Sequence, residues 1–581
     1  MLSRLARLRP GVPPVSVWVA AALLLLSSMI WGALTPATRA PDEVQHLNSI
    51  VRLAHGDGWP KPGDARLERA ILDVRELSGA VHNGQRTFVA GSVNRTPTGE
   101  LFDNLPPTGV NQRASLGTLE HGAPQLSNQM DQMTQHPPGY YAVTAAVFKL
   151  VGAENWRYDR MLYFLRFLTG LAIAASVPFC IYYATRDLTG RGSTAQAAAF
   201  LPLLIPQLGF VGGAVNNDGL TIATASVLAA LLVRVMTAGP TTRRLVLVAV
   251  AAGAVCWMKG TGLTLLPAIP LALAIAYWRT RGDGGVRGWI WPFVRNTAWV
   301  LGLTFVLGGW WWALNLVRYG RIQPAAYETP SVNGPVLSLG DFANVFQARV
   351  SSSFFGDVGL LEAPMPTVFT RTLTFALLAF LVVGLWPHRR WGERAVFVLS
   401  IGLTAGTLFA TTYAGHRVTH NLPGLQGRYL FVLLVPLLVL VAVGLDRVLG
   451  LLRVPSRWLL FTVPVVGVAV TAVGLLLGFR LYYLVDGQSI GRALDVYLGW
   501  SAWSWTIVAG LAAAMVLCCV VLAYVLGRTG GRVAADDAVA DGAPGRTRFA
   551  GAPGLDAGAA PFRVSVPADS AHAPTGAAAD R

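Results

Sequence analysis

The sequence predicts an all-α polytopic membrane protein, a bundle of about twelve transmembrane helices with interfacial helices in a large first extracytoplasmic loop. Three observations predict it. Of the 581 residues, 53% are hydrophobic and 13% are charged, roughly half the charged share of an average soluble domain. Thirteen apolar segments run along the chain, and many exceed the roughly 18 uncharged residues that a helix needs to cross a bilayer. The formal charge of +16 falls on the connectors between those segments, so it reads as membrane topology and no nucleic-acid partner is expected.

The first run, "PVSVWVAAALLLLSSMIWGAL", covers 14–34 and follows Arg4, Arg7 and Arg9 in a short cytoplasmic N-terminus, 1–13. It is too long for an ordinary signal-peptide core, and cleavage after Ala40 would leave a proline at the new terminus, so it reads as a retained first span. Residues 35–160 form the large loop. There "ARLERAILDVRELSG" repeats Leu67, Ile71 and Val74 at helical spacing, the pattern of a helix lying on the membrane surface or on the bundle. The next apolar segment, "GYYAVTAAVFKLVG", is short and contains Lys149, which fits an interfacial or re-entrant helix better than a crossing.

The remaining segments, within 161–527, lie near 162–185, 194–213, 219–237, 245–258, 261–278, 296–317, 369–386, 395–414, 429–446, 458–479 and 502–527. With the short segment kept out of the bilayer, the Arg-rich connectors "TRDLTGRG", "RVMTAGPTTRR", "RTRGDGGVRGWIWPFVR", "PHRRWGER" and "DRVLGLLRVPSR" share one side. The positive-inside bias makes that side the cytoplasm of a bacterial inner membrane, with both termini on it. Further outer loops then lie near 318–368 and 415–428. Residues 528–581, rich in Ala, Gly, Pro and Asp, bury too little apolar surface to offset ordering entropy and are expected to be a disordered cytoplasmic tail. Cys180, Cys256, Cys518 and Cys519 all sit in apolar runs, where they act as small hydrophobes. No phosphate-binding loop, dinucleotide fingerprint or HExxH stands in a suitable context.

This topology gathers the ionisable residues outside the basic connectors at the outer ends of the spans. Asp42, Glu43 and His46 follow the first span, His136 stands in "QHPPGYY", Asp218 in "NNDG" and Lys259 in "MKGTG". Arg318 closes "GGWWWALNLVRYG", while His416, Arg417, His420 and Arg428 share the last outer loop. Arg166 lies deepest, inside the second span. A charge at the bilayer centre costs roughly 2.5–3.5 kcal/mol, so such residues pair or line a cavity. An outward-facing cavity with both signs is the expectation, its carboxylates available as bases and its cations able to hold phosphate.

Each pattern also has a purely structural reading. "PDE" is how an ordinary helix begins, and Val44, Leu47, Val51 and Ala54 then share one face. The two readings are compatible, since Asp42 and His46 stand one turn apart on the same side of such a helix. "HPPGYY" also serves as a rigid entry to the interfacial helix, with its tyrosines at headgroup depth, and "GGWWW" as packing and interface anchoring. "NNDG" also reads as a turn with Asp218 capping the next helix.

Taken in order, "PDEVQH", "HPPGYY", "RFLTG", "NND", "KGTG", "WWWALNLVRYG", "SFFGDVG" and "QGRYL" resemble the signature of a bacterial family of predicted multispanning membrane proteins. That family is of unknown function, opens on PDExxH and is grouped with the GT-C superfamily of glycosyltransferases. Val44 and Gln45 stand where the family often has Pro and Ala, and Gly139 where a larger residue is usual; neither change removes a functional group. The resemblance implies a GT-C-like bundle and a polyprenyl-phosphate-linked sugar donor used on the outer face, with a membrane lipid environment and a glycan, lipid or protein acceptor. It implies Asp42 as the first acid and general base, with Glu43 beside it and Asp218 as the second acid.

Chemistry fills in the rest. Arg166, Lys259, Arg428 and His136 are expected to hold the donor phosphate, which leaves as an anion and needs fixed positive charge rather than a general acid. His46, Asn217, Tyr140, Arg318 and His420 complete the expected substrate-binding set. A single displacement predicts inversion. A divalent cation, Mg or Mn, on Asp42, Glu43 and Asp218 is left open, oxygen ligands being suited to either. The alternatives are a secondary transporter of twelve spans, whose charges belong near the midplane, and a lipid-linked sugar carrier without transferase activity.

Overall fold

Apolar runs of this kind fold as helices because lipid offers the backbone no hydrogen-bond partner. The computed structural model describes residues 12–79, 81–82, 85–86, 109–119, 129–281, 285–326, 330–359, 363–386, 391–422, 424–484 and 487–542. Pro13–Gly545 make one compact unit. Its α-helices, in chain order, begin with α1 (Val15–Leu34), α2 (Glu43–His55), α3 (Arg69–Leu77), α4 (Gly139–Leu150), α5 (Tyr158–Ala174), α6 (Val177–Thr189), α7 (Gly192–Ala198), α8 (Pro206–Gly212), α9 (Asp218–Ala238) and α10 (Thr242–Met258). They continue as α11 (Ala268–Arg279), α12 (Gly285–Thr304), α13 (Trp310–Tyr319), α14 (Leu339–Phe355), α15 (Thr367–Leu385), α16 (Trp391–Thr419), α17 (Leu434–Leu451), α18 (Leu459–Tyr483), α19 (Ile490–Trp500) and α20 (Trp505–Gly542). Two antiparallel pairs are the extended structure, Val81–His82 with Gln85–Arg86 and Asp357–Val358 with Ala363–Pro364.

Among the described residues, 10 helical stretches are long and apolar enough to cross a membrane. Two of the twelve expected crossings take other forms. The 194–213 segment is broken into α7, a tight turn at Leu201–Leu204 and α8, because Pro202 and Pro206 each remove a backbone donor. Apart from the half-buried Leu204 it is buried, so neighbouring helices rather than lipid surround most of the irregular backbone, the condition under which a broken helix is tolerated at depth. The other, α10, is a regular helix of 17 residues.

The short segment is the 12-residue helix α4, which is not among the helices long and apolar enough to cross. Arg166, two turns into α5, donates to Gly32 O and Thr35 O at the end of α1, so the chain leaves and re-enters the bundle at the same end. Helix α4 packs on α2 and, through Gly139, on Trp257 at the end of α10. Tyr141 and Phe148 of α4, Leu47, Ile50 and Val51 of α2, and Ile71 and Val74 of α3 form a second buried apolar cluster beside the main bundle core. The Val44, Leu47, Val51 and Ala54 face is buried as its spacing predicts.

A buried polar network ties this cap down. Asp131 Oδ2 accepts from Asn48 Nδ2 (2.7 Å), Ser49 Oγ (2.8 Å) and Arg52 Nη1 (2.9 Å), and Asp131 Oδ1 accepts from Met133 N (2.9 Å). Both oxygens of a fully buried carboxylate are thereby hydrogen-bonded, which offsets the desolvation penalty an unpaired one would carry. Two helices arise where only loop was expected, α14 within 318–368 and α19 between the last two spans. The tail boundary also moves: α20 runs on to Gly542, the sequence after Gly531 being rich in strong helix formers such as Ala, so residues 528–542 are helical rather than disordered. Residues 543–581 lie outside the described residues.

Candidate active site

The site is built on a clamp at the end of α1. A helix leaves its last carbonyls without intrahelical partners, and α1 has no basic residue in its last turn. Arg166 of α5 supplies the cation: Nη1 donates to Gly32 O (2.8 Å) and Thr35 O (2.6 Å), and Nη2 to Pro36 O (3.0 Å). Its other two N–H groups form a fork on Glu43, Nε to Oε1 at 2.8 Å and Nη2 to Oε2 at 2.6 Å. Glu43 Oε1 also accepts from Val215 N (3.0 Å), in the turn before α9. One ion pair therefore fixes the end of α1, the start of α2 and the start of α9 relative to each other.

Glu43 and Arg166 thus stand corrected from their expected roles. Glu43 is fully buried with both oxygens taken, and all five N–H groups of Arg166 are used, so neither has a free polar edge for a sugar or a phosphate. They position the site.

One residue earlier, Asp42 is held in the left-handed region, φ 57° and ψ 11°, a conformation that Asp tolerates better than most residues. It heads α2 without capping it. Its carboxylate accepts from Gln132 Nε2 at Oδ1 (3.0 Å) and from Arg428 Nη2 at Oδ2 (2.9 Å). Arg428 then reaches Asp218, Nη1 to Oδ2 at 3.8 Å, and Lys259 Nζ donates to Asp218 Oδ1 at 2.6 Å. Two carboxylates and two cations alternate in one chain, Asp42–Arg428–Asp218–Lys259, and their formal charges cancel. Tyr429 lies under both cations, 5.0 Å from Lys259 Nζ and 5.6 Å from the Arg428 guanidinium to the ring centroid. The carboxylates differ in access: the Asp42 side chain is 34% exposed and Asp218 7%.

Local sequence explains each placement. In "NND", Asn216 Nδ2 donates to Val211 O (2.8 Å) and its Oδ1 accepts from Gly219 N (3.1 Å), folding the turn that puts Asp218 at the first position of α9, where a carboxylate complements the helix dipole. In "KGTG", Gly262 packs on the Val255 backbone, where a Cβ would lie 2.7 Å from Val255 O, letting the chain turn straight back after Lys259. In "QGRYL", a Cβ on Gly427 would overlap Val350 O and the Phe354 backbone of α14. Glycine there lets Gly427 N donate to Ser353 Oγ (2.8 Å) and brings Arg428 inward, where Gln426 Oε1 accepts from its Nε (2.6 Å).

Of the other expected residues, His46, His136, Tyr140 and Asn217 are close to this chain of charges. His46 is buried, with Nδ1 2.9 Å from Tyr141 Oη and its ring edge-on to Tyr140. The side-chain amide of Asn217 is buried with neither its Nδ2 nor its Oδ1 hydrogen-bonded among the described residues, and His136 Nδ1 is likewise without a partner. Arg318 and His420 are not brought in. Arg318 is exposed near the end of α13, and His420 Nδ1 lies 2.6 Å from Gly334 O. Trp312 of "GGWWW" is packing, its Nε1 donating to Cys256 O (2.9 Å). Sequence reasoning missed Gln132, which carries no motif of its own, and Gln426 and Tyr429, whose places in "QGRYL" were the one available signal.

Burial raises the Asp42 carboxyl, but the Arg428 guanidinium, with Lys259 behind it, outweighs burial and holds it below the usual carboxylate range. Burial pushes both imidazoles down, His46 to about 3 and His136 to about 3, with Lys259 adding to the effect on each. Both stay neutral at physiological pH. Their folded pKa values lie below the unfolded value, so their contribution to stability is complete above about 6.5 and is withdrawn as pH falls toward 3. The melting temperature in detergent is expected to fall between pH 6.5 and 5, with a shallower fall in His46→Asn; a pH-independent melt over that range would contradict the neutral assignment.

The three acids do not converge as a metal site. Glu43 faces Arg166, Asp218 faces Lys259, and Asp42 faces Arg428 and Gln132, so a divalent ion between them would meet three cations already in place. Among the described residues, the His/Asp/Glu trio whose ligand atoms lie within 4.8 Å of one another is His55, Asp57 and Glu68, beyond the opposite end of α2.

Fold and site together define a helical polytopic membrane protein with a buried, charge-balanced ionic cluster at one end of its bundle. The chain belongs to the family of predicted membrane proteins DUF2142, whose profile matches residues 25–441. Curated proteins give no match. Among solved structures, ArnT from Cupriavidus metallidurans bound to undecaprenyl phosphate is similar at 15% identity and a TM-score of 0.42, over 90% of this chain and 76% of that one. The arabinosyltransferase EmbB from Mycobacterium smegmatis is similar at 14% identity and a TM-score of 0.36, over 93% and 45%. The oligosaccharyltransferase of Archaeoglobus fulgidus is similar at 13% identity and a TM-score of 0.32, over 83% and 53%. These likenesses are too distant to assign an activity.

Proposed function

We propose that the protein is a membrane glycosyltransferase that moves a sugar from a polyprenyl-phosphate-linked donor to a glycan, lipid or protein acceptor on the extracytoplasmic face of a bacterial inner membrane. The observation that carries this reading is the unequal access of its acids. Asp42 alone of the three keeps an open face, and it stands one guanidinium away from the Asp218–Lys259 pair.

In the proposed reaction the acceptor O–H transfers its proton to an Asp42 oxygen as its own oxygen bonds to the anomeric carbon. The anomeric carbon–phosphate oxygen bond breaks with its electron pair going to the lipid phosphate. Lys259 and Arg428 stabilise the charge that develops there, acting on the transition state more than on the bound donor. As the phosphate draws Arg428 away, Asp42 loses its main counter-charge and becomes a stronger base at the moment it is needed. The buried, unpartnered amide of Asn217 and His136 Nδ1 would hydrogen-bond sugar hydroxyls that enter beside Asp42. One displacement gives inversion.

The reading is tested by purifying the full chain, identifying co-purifying lipid-linked sugars by mass spectrometry, and supplying the species found to proteoliposomes. Time-dependent loss of the donor with release of polyprenyl phosphate supports transfer. A bound lipid-linked sugar that is never consumed, with any acceptor fraction, favours the carrier alternative. No step runs through a metal: turnover is expected to persist after EDTA treatment, and a loss restored by Mg or Mn alone would return the divalent ion to the site.

A further inference from the structure

A cavity of about 640 Å³ opens beside the first turns of α5 and shares no lining residue with the Asp42 cluster. Its walls are aromatic. Tyr163 and Trp503 meet edge to face with centroids 4.9 Å apart, and Trp156 and Phe164 do so at 5.3 Å. Phe167, three residues after Phe164, continues the apolar wall along the same side of α5. Tyr163 is fixed from behind by donating to Met29 O of α1 (3.1 Å), so the wall is part of the bundle and not a mobile flap.

The charge around this cavity is unbalanced. Asp159 is a single buried carboxylate shared by two guanidiniums, Arg113 Nη1 at 2.7 Å and Arg157 Nη2 at 2.6 Å. Arg113 is turned inward onto Ser501 O (3.0 Å) and Gly499 O (2.6 Å), while Arg157 lines the cavity. Arg160 also lines it, is exposed, and makes no ion pair among the described residues; its guanidinium stands 5.9 Å from the Trp503 ring centroid. Glu154, the nearest other acid in sequence, is turned to His55, 3.1 Å away. Three guanidiniums against one carboxylate leave two positive charges in excess at an open, aromatic-walled groove.

Its depth selects the ligand. The groove is formed by the first turns of the Tyr158–Thr189 span and the residues just before the Trp505–Arg528 span, the level at which headgroups meet hydrocarbon and where aromatic side chains with polar tips collect. A soluble anion has no use for the Phe164 and Phe167 wall, and a neutral lipid leaves the excess charge unanswered. We propose that this groove binds an anionic membrane lipid, its phosphate on Arg160 and the free edge of Arg157, its chain along Phe164 and Phe167. The site stands independently of the transferase reading.

The test is native mass spectrometry of the full chain in detergent, titrated with phosphatidylglycerol or phosphatidylcholine. Wild type is expected to retain phosphatidylglycerol roughly tenfold better, the worth of one charge-assisted contact. Arg160→Gln removes most of that preference, and because Arg160 is exposed the fold survives the change. Arg318→Gln, an exposed cation outside both sites, leaves the preference intact, and millimolar inorganic phosphate does not displace the lipid. Equal retention of the two lipids, an unchanged preference in Arg160→Gln, loss of preference in Arg318→Gln instead, or full displacement by inorganic phosphate would each overturn the proposal.

Discussion

An Asp42→Asn protein is expected to fold, to keep the proposed lipid-linked donor bound and to transfer no sugar. The substitution is close to isosteric, and Asn accepts the left-handed conformation at this position, φ 57°, as readily as Asp does. Its amide oxygen still accepts from Gln132, and Arg428 still has Asp218 and Gln426. What disappears is the one accessible atom pair able to take a proton. Positioned general bases contribute roughly 10²–10⁴-fold to rate, so turnover of a polyprenyl-phosphate sugar in proteoliposomes is expected to fall at least that far. The melting temperature should move little. Undiminished turnover in this variant would exclude Asp42 as the base and with it the mechanism proposed above.

The largest effect on stability is expected one residue away. Arg166→Met removes the cation from the pair with Glu43, whose side chain is fully buried, and breaking such a pair by deleting one partner costs about 3–5 kcal/mol. It also strips the carbonyls of Gly32 and Thr35 of their donor, while Pro36 O keeps Arg39 N, each buried group left unsatisfied costing about 1–3 kcal/mol more. Glu43→Gln is milder, because the amide keeps an acceptor for Val215 N and leaves Arg166 on its three carbonyls. The double replacement of Glu43 and Arg166 by apolar residues recovers only the ion-pair share of the loss, since the α1 carbonyls stay open. The order Arg166→Met below Glu43→Gln below wild type, read as melting temperature or as yield of folded protein in detergent, checks the assignment. Equal melting of Arg166→Met and wild type would show that the clamp is not what joins α1, α2 and α9.

These two neighbours show where sequence reading reached its limit. "PDE" placed both acids at the start of a helix beyond the first span, and the α2 face of Val44, Leu47, Val51 and Ala54 is buried as predicted. Nothing in the three letters distinguishes a carboxylate turned inward onto Arg166 from one left open beside Arg428. Arg166 itself was legible as an intramembrane charge in need of a partner, yet not as a helix cap, because the carbonyls it serves are more than 125 positions away along the chain. The same holds at "QGRYL", where Arg428 was an expected phosphate ligand and the reason for its glycine, the close backbone of α14, lay in a helix that the sequence did not announce. Arg318 and His420 looked equivalent to the others by depth alone, and the fold left them outside.

The sequence by itself determined the membrane-spanning class, the shortness of α4, and the presence of both charge signs at one end of the bundle. Those follow from composition, run length and the cost of charge in lipid, which are local properties of the chain. Tertiary structure alone decided which carboxylate is open, which cation is already spent, and that Asp42, Arg428, Asp218 and Lys259 form one neutral chain, because hydrogen-bond partners are assigned by the packing of distant helices. It decided the aromatic-walled groove as well, where Arg160 and Trp503, far apart in the sequence, come together.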